Sequence, residues 1–374
     1  MAINRNIYHL LSNEGFSIEL VVPKTLNFPS GIKNAEERTE LDPQIHYLKL
    51  KGNNPRSYLY NGLKEVLNQK KPKIVLLDND PVSLLAFFLG KWCKKNNSFL
   101  FCISNENFPL DVSSTFKRRG IVNLPSAIIK RIIINKTKNL VDGLFCINSS
   151  GKEIFIKEGF KNVIQIPLGF DPNYFYPDSN KRLKIRTRLG INKTVIAYFG
   201  RIVEEKGVQL LIEALYGLND LEWIFMIDKF DEYSSNFNKK IFNLINKYNL
   251  NEKIIFVDPN HYEIASYMNA ADIIVSPSIS SNKWKEQYGR VPAEAMACGK
   301  IVVASDSGFL PELIKNNGYI FIEGNVIALQ NILRNLILEN NFSLNAKVIS
   351  NFAKMNLSLV KQKTVMVNKF NQFI

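Results

Sequence analysis

Residues 195–216 read VIAYFGRIVEEKGVQLLIEALY, and the reading of this stretch decides the fold. An apolar, β-branched run, Val195 to Phe199, gives way at Gly200-Arg201 to a polar loop, and Val208 to Tyr216 then carries apolar residues at helical spacing. A buried strand, a short loop and a helix make the repeating unit of a parallel sheet covered by helices.

The same alternation recurs on both sides. Downstream lie Trp223 to Ile227, Ile254 to Val257, Ile273 to Ser276 and Ile301 to Ala304; upstream lie Ile18 to Val22, Ile74 to Leu77, Phe99 to Ile103, Gly143 to Ile147 and Val163 to Ile166. A Pro/Gly-punctuated segment, residues 167–177, separates the two series. A chain of 374 residues is also too long for one ordinary core. The expectation is therefore α/β, with two doubly wound Rossmann-like domains facing across a cleft. Residues 1–168 form the first and 169–351 the second, and a C-terminal helix of about 352–374 packs back near the first. A helix, Asn4 to Asn13, precedes the strand Ile18 to Val22, so the N-terminal domain reads as lacking its first strand.

Composition narrows the function. Hydrophobic content of 46% and charged content of 22% are those of a packed globular chain. No apolar run approaches the ~18 residues of a membrane span, and the N-terminus lacks the pattern of an export signal, so a cytoplasmic protein is expected. Cys93, Cys102, Cys146 and Cys298 form no C-x-x-C pair, and His9, His46 and His261 are far apart. Buried thiols are expected, and no metal site. The net charge of +14 calls for an anionic partner. No nucleic-acid-binding motif accompanies it. The charge concentrates in Lys117-Arg118-Arg119, Lys130-Arg131 and Lys136 to Lys138, interleaved with isoleucines. That pattern fits either an interfacial helix on an anionic membrane or an ordinary helix packed on the sheet.

Two clusters carry candidate chemistry. Arg201 and Lys206 follow the strand Val195 to Phe199 and stand beside a helix start, where a guanidinium, an ammonium and unpaired N–H groups together suit a diphosphate. Basic residues on a loop are ordinarily just solvated, so this corner alone decides nothing. The second cluster is Glu286-Gln-Tyr-Gly-Arg-Val-Pro-Ala-Glu294. Pro292 and Gly299 predict a short helix from about Val291 to Cys298. Glu294 would lie in its first turn, where complementing the helix dipole is the plain reading, and Glu286 in the loop before it. Either carboxylate could accept hydrogen bonds from sugar or ribose hydroxyls.

Taken together, Ala197 to Gly207, Ala271 to Ser278, Glu286 to Glu294, Ala295 to Lys300 and Ala304 to Glu312 resemble, in order and spacing, the family 4 retaining glycosyltransferases of GT-B fold; Ile166 to Asp171 looks like that family's domain junction. The resemblance implies that Arg201 and Lys206, after Gly200, hold the donor diphosphate. Glu286 then contacts the transferred sugar and Glu294 the ribose, while the backbone of Tyr288, Gly289, Arg290 and Val291 bonds donor oxygens. It implies a nucleotide-sugar donor, a glycan or lipid-linked acceptor, cell-surface polysaccharide assembly, and no cofactor or divalent ion. A chain that binds nucleotide-sugar or membrane without turnover is the alternative. Asp78-Asn79-Asp80 fits a metal-binding D-x-D pattern, but with Pro81 after it reads as a turn.

Three departures from the family pattern stand out. Glu106 and Asn107 occupy the region where many members carry a His, and are the acceptor-side candidates. Asp228-Lys-Phe230 replaces a loop that is often Gly-rich, and Phe309 replaces the second Gly of a pair.

Overall fold

The structure is a computed structural model that describes residues 5–28, 31–52, 54–342 and 345–374. The chain divides into two compact units, Met1–Gly169 with Leu359–Ile374, and Phe170–Ser358.

The first unit is built on a four-stranded parallel sheet in the order Val163–Gln165, Gly143–Cys146, Phe99–Ser104, Ile74–Leu77. These runs are apolar at every position because the sheet is covered on both faces, and the two-residue period assigns each side chain to one face. Leu100, Cys102, Leu144 and Cys146 pack with the helix Leu84–Lys95. Phe101, Phe145 and Ile164 point the other way, onto the helices Asn6–Asn13 and Leu359–Phe370. Phe370 meets Phe101 edge-on at 5.0 Å between centroids, which fixes the C-terminal helix to this sheet.

Among the described residues the first element is Asn6–Asn13, and Asn4, expected to begin that helix, lies outside them. Glu19–Pro23 pairs in parallel with Gln44–Leu48, a strand the sequence reading did not single out. The single helix expected over about 352–374 is instead two, Ala346–Leu357 and Leu359–Phe370, broken at the extended residue Ser358. All four cysteines are buried thiols.

The second unit holds six parallel strands in the order Ile254–Val257, Trp223–Asp228, Thr194–Tyr198, Ile273–Ser276, Ile301–Ser305, Tyr319–Phe321. Its core gathers Ile196, Trp223, Phe225, Ile273, Val303 and the helix residues Leu211, Ile212 and Leu215, all sealed from solvent. Counted from the first strand of the unit the order is 3-2-1-4-5-6. The winding therefore reverses between Thr194–Tyr198 and Ile273–Ser276. In open α/β sheets ligands bind beyond the carboxyl ends of the strands at such a reversal. Both clusters singled out in the sequence follow these two strands.

Candidate donor site of the second unit

The corner is assembled by backbone fit. After Thr194–Tyr198 the chain passes Gly200, whose N–H donates to Asp228 Oδ2 at 2.8 Å, and the Tyr198 hydroxyl donates to the Arg201 carbonyl at 2.7 Å. Arg201 is thus held at the sheet edge with its side chain exposed, and among the described residues it forms no ion pair. At Gly207 φ is +70°, and an added Cβ would stand 1.8 Å from the Pro277 carbonyl oxygen. Only glycine lets the two loops touch there, and the Ile279 N–H donates to the Glu205 carbonyl at 2.8 Å beside it.

That contact brings Lys206 to Glu286. Lys206 Nζ lies 2.6 Å from Glu286 Oε2 and 5.2 Å from the centroid of the Trp284 ring. Ser278 Oγ donates to the same carboxylate oxygen at 3.0 Å. The backbone of Glu286 is clamped as well. Its carbonyl accepts from the Phe309 N–H at 3.1 Å, and its N–H donates to Ser307 Oγ at 3.4 Å. Gly308 sits at φ +58°, where an added Cβ would be 2.0 Å from that same carbonyl oxygen. Phe309, in place of the family's second Gly, is accommodated because its ring turns away to stack on Tyr288 at 5.7 Å.

Gly289, at φ +93°, leads into the helix Arg290–Ala297. The helix starts one residue earlier than expected, so Glu294 is its fifth residue and lies beyond the first turn. The dipole explanation of Glu294 is thereby corrected. The residue is 7% exposed, and its carboxyl accepts no hydrogen bond among the described residues. Burial pushes its pKa up to about 7, against the pull of the Arg290 charge. A carboxyl largely buried and unpaired beside a glycine-led helix start is the sort of perturbed group that marks a binding site.

One residue was noted in the sequence only as a departure. Asp228 ends its strand directly alongside Gly200, because Tyr198 pairs in register with Ile227. Its Oδ1 is buried without a partner, and burial, with the Asp258 charge, pushes its pKa up to about 6. An acid at the end of the strand neighbouring Gly200-Arg201 was the available signal.

Glu106 and Asn107 lie in the first unit. Glu106 Oε1 accepts from the backbone N–H groups of Asn107 and Phe108 at 3.1 Å each, and Arg56 Nη2 stands 3.5 Å from Oε2. The Asp80 N–H of the D-x-D sequence donates to Asn79 Oδ1 at 2.8 Å, as in a turn, and its carboxylate accepts from Ser104 Oγ. Burial raises the pKa of Asp78 and of Asp80.

Residues 181–355 match the family described as glycosyl transferases group 1. An uncharacterized glycosyltransferase of Methanocaldococcus jannaschii is 30% identical over 329 residues, spanning 83% of this chain and 85% of that protein. The chain belongs to the group 1 glycosyltransferases. The lipopolysaccharide core biosynthesis mannosyltransferase LpsB of Rhizobium meliloti is 29% identical over 151 residues, 39% of this chain and 41% of that one. Among solved structures, Anabaena HepE in complex with UDP matches with a TM-score of 0.68 at 21% identity, covering 83% of this chain and 81% of that chain. The α/β units are those of the GT-B fold, and this glycosyltransferase carries its two motif clusters at the winding reversal of the second.

Proposed function

We propose that this enzyme is a family 4, retaining glycosyltransferase that moves a sugar from a nucleoside diphosphate to a glycan or lipid-linked acceptor in cell-surface polysaccharide assembly, without a divalent ion. The observation that carries the reading is the pairing of Lys206 with Glu286 at the winding reversal, next to the exposed Arg201. When the bond between the sugar and the diphosphate breaks, negative charge grows on the departing phosphate oxygens. A fixed guanidinium and ammonium stabilise that charge in the transition state more than in the ground state. Lys206 can exchange its carboxylate partner for phosphate, which leaves Glu286, held by Ser278, to accept hydroxyls of the transferred sugar. Glu294 accepts from the ribose. The mannosyltransferase relative supports an acceptor of the polysaccharide class, and the UDP held by the Anabaena protein makes uridine nucleotides the first to try.

A peripheral place at an anionic membrane belongs to the same proposal. Among the described residues no helix is long and apolar enough to cross a membrane. Phe116, Ile121, Val122, Ile128, Ile129 and Ile132 are exposed between the helices Val112–Arg119 and Leu124–Thr137 and along them, with the exposed cations Lys117 and Arg119 nearby. Part of the basic stretch is corrected. Lys130 is buried, Arg118 lies over the Phe108 ring, and Arg131 pairs with Glu158, so these three are not free to face a bilayer.

The test is turnover of a panel of sugar nucleotides by the wild type, Arg201→Ala and Lys206→Ala. Each variant loses a charge-assisted contact of about 1.5–3 kcal/mol, and kcat/KM should fall at least about tenfold. Wild-type kinetics in both would remove the corner from the reaction.

A further inference from the structure

Two of the side chains withdrawn from the membrane face, Lys130 and Arg118, lie near each other and near Arg56. Lys130 projects from the helix Leu124–Thr137; the residue is 8% exposed and its ammonium has no ion-pair or hydrogen-bond partner among the described residues. Its Nζ is nevertheless not among the atoms sealed from solvent. The charges acting on it are those of Arg56, Glu106, Arg119 and Arg118. Burial and the neighbouring guanidinium of Arg56 push its pKa down to about 8.

The anions nearby are too few and already engaged. Glu106 spends one carboxylate oxygen on the backbone N–H groups of Asn107 and Phe108, and faces Arg56 with the other. Asp111 caps its helix by accepting from the Ser114 N–H at 2.7 Å. Asp80 accepts from Ser104, and burial favours its neutral form. Arg118 stacks 4.2 Å above the Phe108 ring and donates through Nη2 to the Pro109 carbonyl at 3.2 Å, while its Nε and Nη1 are buried without a partner. Folded proteins rarely leave such donors unpaired, because a buried donor without an acceptor keeps its full desolvation cost, the more so when charged. The cationic donors here outnumber the anionic groups that could meet them.

We propose that Arg56, Arg118 and Lys130 form a phosphate-binding site at the carboxyl end of the strand Phe99–Ser104, in the first unit. A phosphate, as monoester or diester, offers several acceptor oxygens in a small volume, which suits two guanidinium groups and an ammonium close enough to feel one another's charge. That this phosphate belongs to the acceptor rests on the glycosyltransferase reading; that the site binds phosphate does not. Two sources share the chemistry, a phosphorylated soluble compound and a lipid headgroup.

The first experiment labels amines of the wild-type protein with an acylating reagent at pH 8 and follows Lys130 by mass spectrometry. A deprotonated fraction near one half makes Lys130 reactive, and millimolar pyrophosphate should slow its labelling at least about fivefold. Protection by pyrophosphate assigns a soluble phosphate. Protection by phosphatidylglycerol vesicles, and not by phosphatidylcholine vesicles, assigns a headgroup. Labelling indifferent to both overturns the site. The second experiment separates it from the donor corner by calorimetry. Arg201→Ala/Lys206→Ala should keep pyrophosphate binding at the first unit, whereas Arg56→Gln/Lys130→Met should lose it and keep nucleoside diphosphate binding. Pyrophosphate binding abolished by the first pair and untouched by the second overturns the proposal and leaves the donor site intact.

Discussion

Replacing Glu294 by Gln should make the protein more stable at high pH and leave it unchanged at low pH. In the folded chain the carboxyl titrates near 7, against a reference value of 4.5, because burial opposes its charge. Between these values the folded state holds a proton that the unfolded state has released. The stability this provides is complete below about pH 4.5, declines through the interval, and is gone above about pH 7. Each pH unit in the interval is worth roughly 1.4 kcal/mol, so the charged wild type carries a penalty of about 3 kcal/mol at pH 8. Gln keeps the shape and cannot ionise. In a unit of this size that difference corresponds to a Tm gap of about 6–12 °C. Thermal unfolding of both proteins from pH 4.5 to pH 8.5 reads it directly, and the curves should diverge as pH rises. Parallel curves would show that burial does not perturb Glu294, and would remove the argument that it waits for a ribose hydroxyl. If it does wait, the same variant should also bind nucleoside diphosphate more weakly.

Three further outcomes follow from the geometry. Gly308→Ala places a side chain at φ +58° and 2.0 Å from the Glu286 carbonyl oxygen; the backbone conformation alone costs about 1–2 kcal/mol, so Tm and turnover should both fall, and a variant normal in both would show that the loop does not position Glu286. Activity should survive EDTA, whereas loss with rescue by Mn²⁺ would move the chemistry toward Asp78 and Asp80. Neutralising Lys117 and Arg119, at about 1 kcal/mol each, should weaken co-sedimentation with anionic vesicles by about thirtyfold at low salt; equal, negligible binding to anionic and neutral vesicles would leave no case for a membrane.

The sheets were legible because their strands are continuous apolar runs, and a run buried on both faces announces itself without neighbours. Val195 to Phe199 and Ile273 to Ser276 needed nothing more. Gln44–Leu48 was missed because His46 and Gln44 interrupt it; its partner Glu19–Pro23 lies far back in sequence, and His46 Nε2 finds Glu19 Oε2 at 2.6 Å only once the two strands pair. Tyr319–Phe321 is three residues long behind Asn-Asn-Gly, too short to carry a period.

At the site, residue identity and order gave Arg201, Lys206 and Glu286, but not that Lys206 and Glu286 touch, which depends on Gly207 meeting Pro277 across the switch point. Asp228 could not be valued from sequence, since its neighbour Gly200 belongs to another strand. The basic stretch stayed open between two readings for a related reason. Helical spacing tells which residues share a face, and only packing tells that Lys130 turns inward while Ile129 and Ile132 turn out.

In the proposed function Arg201 and Lys206 bind the diphosphate of a sugar nucleotide, beside Glu286. Calorimetric titration of the wild type and the Arg201→Ala/Lys206→Ala variant, both in the presence of EDTA, with uridine, guanosine and adenosine diphosphates tests it most directly. The wild type should bind at least one of them without metal, and the variant should bind that one about a hundredfold more weakly or worse, from two lost contacts of about 1.5–3 kcal/mol each. Equal affinity in the two proteins, or no affinity of the wild type for any of the three, would contradict it.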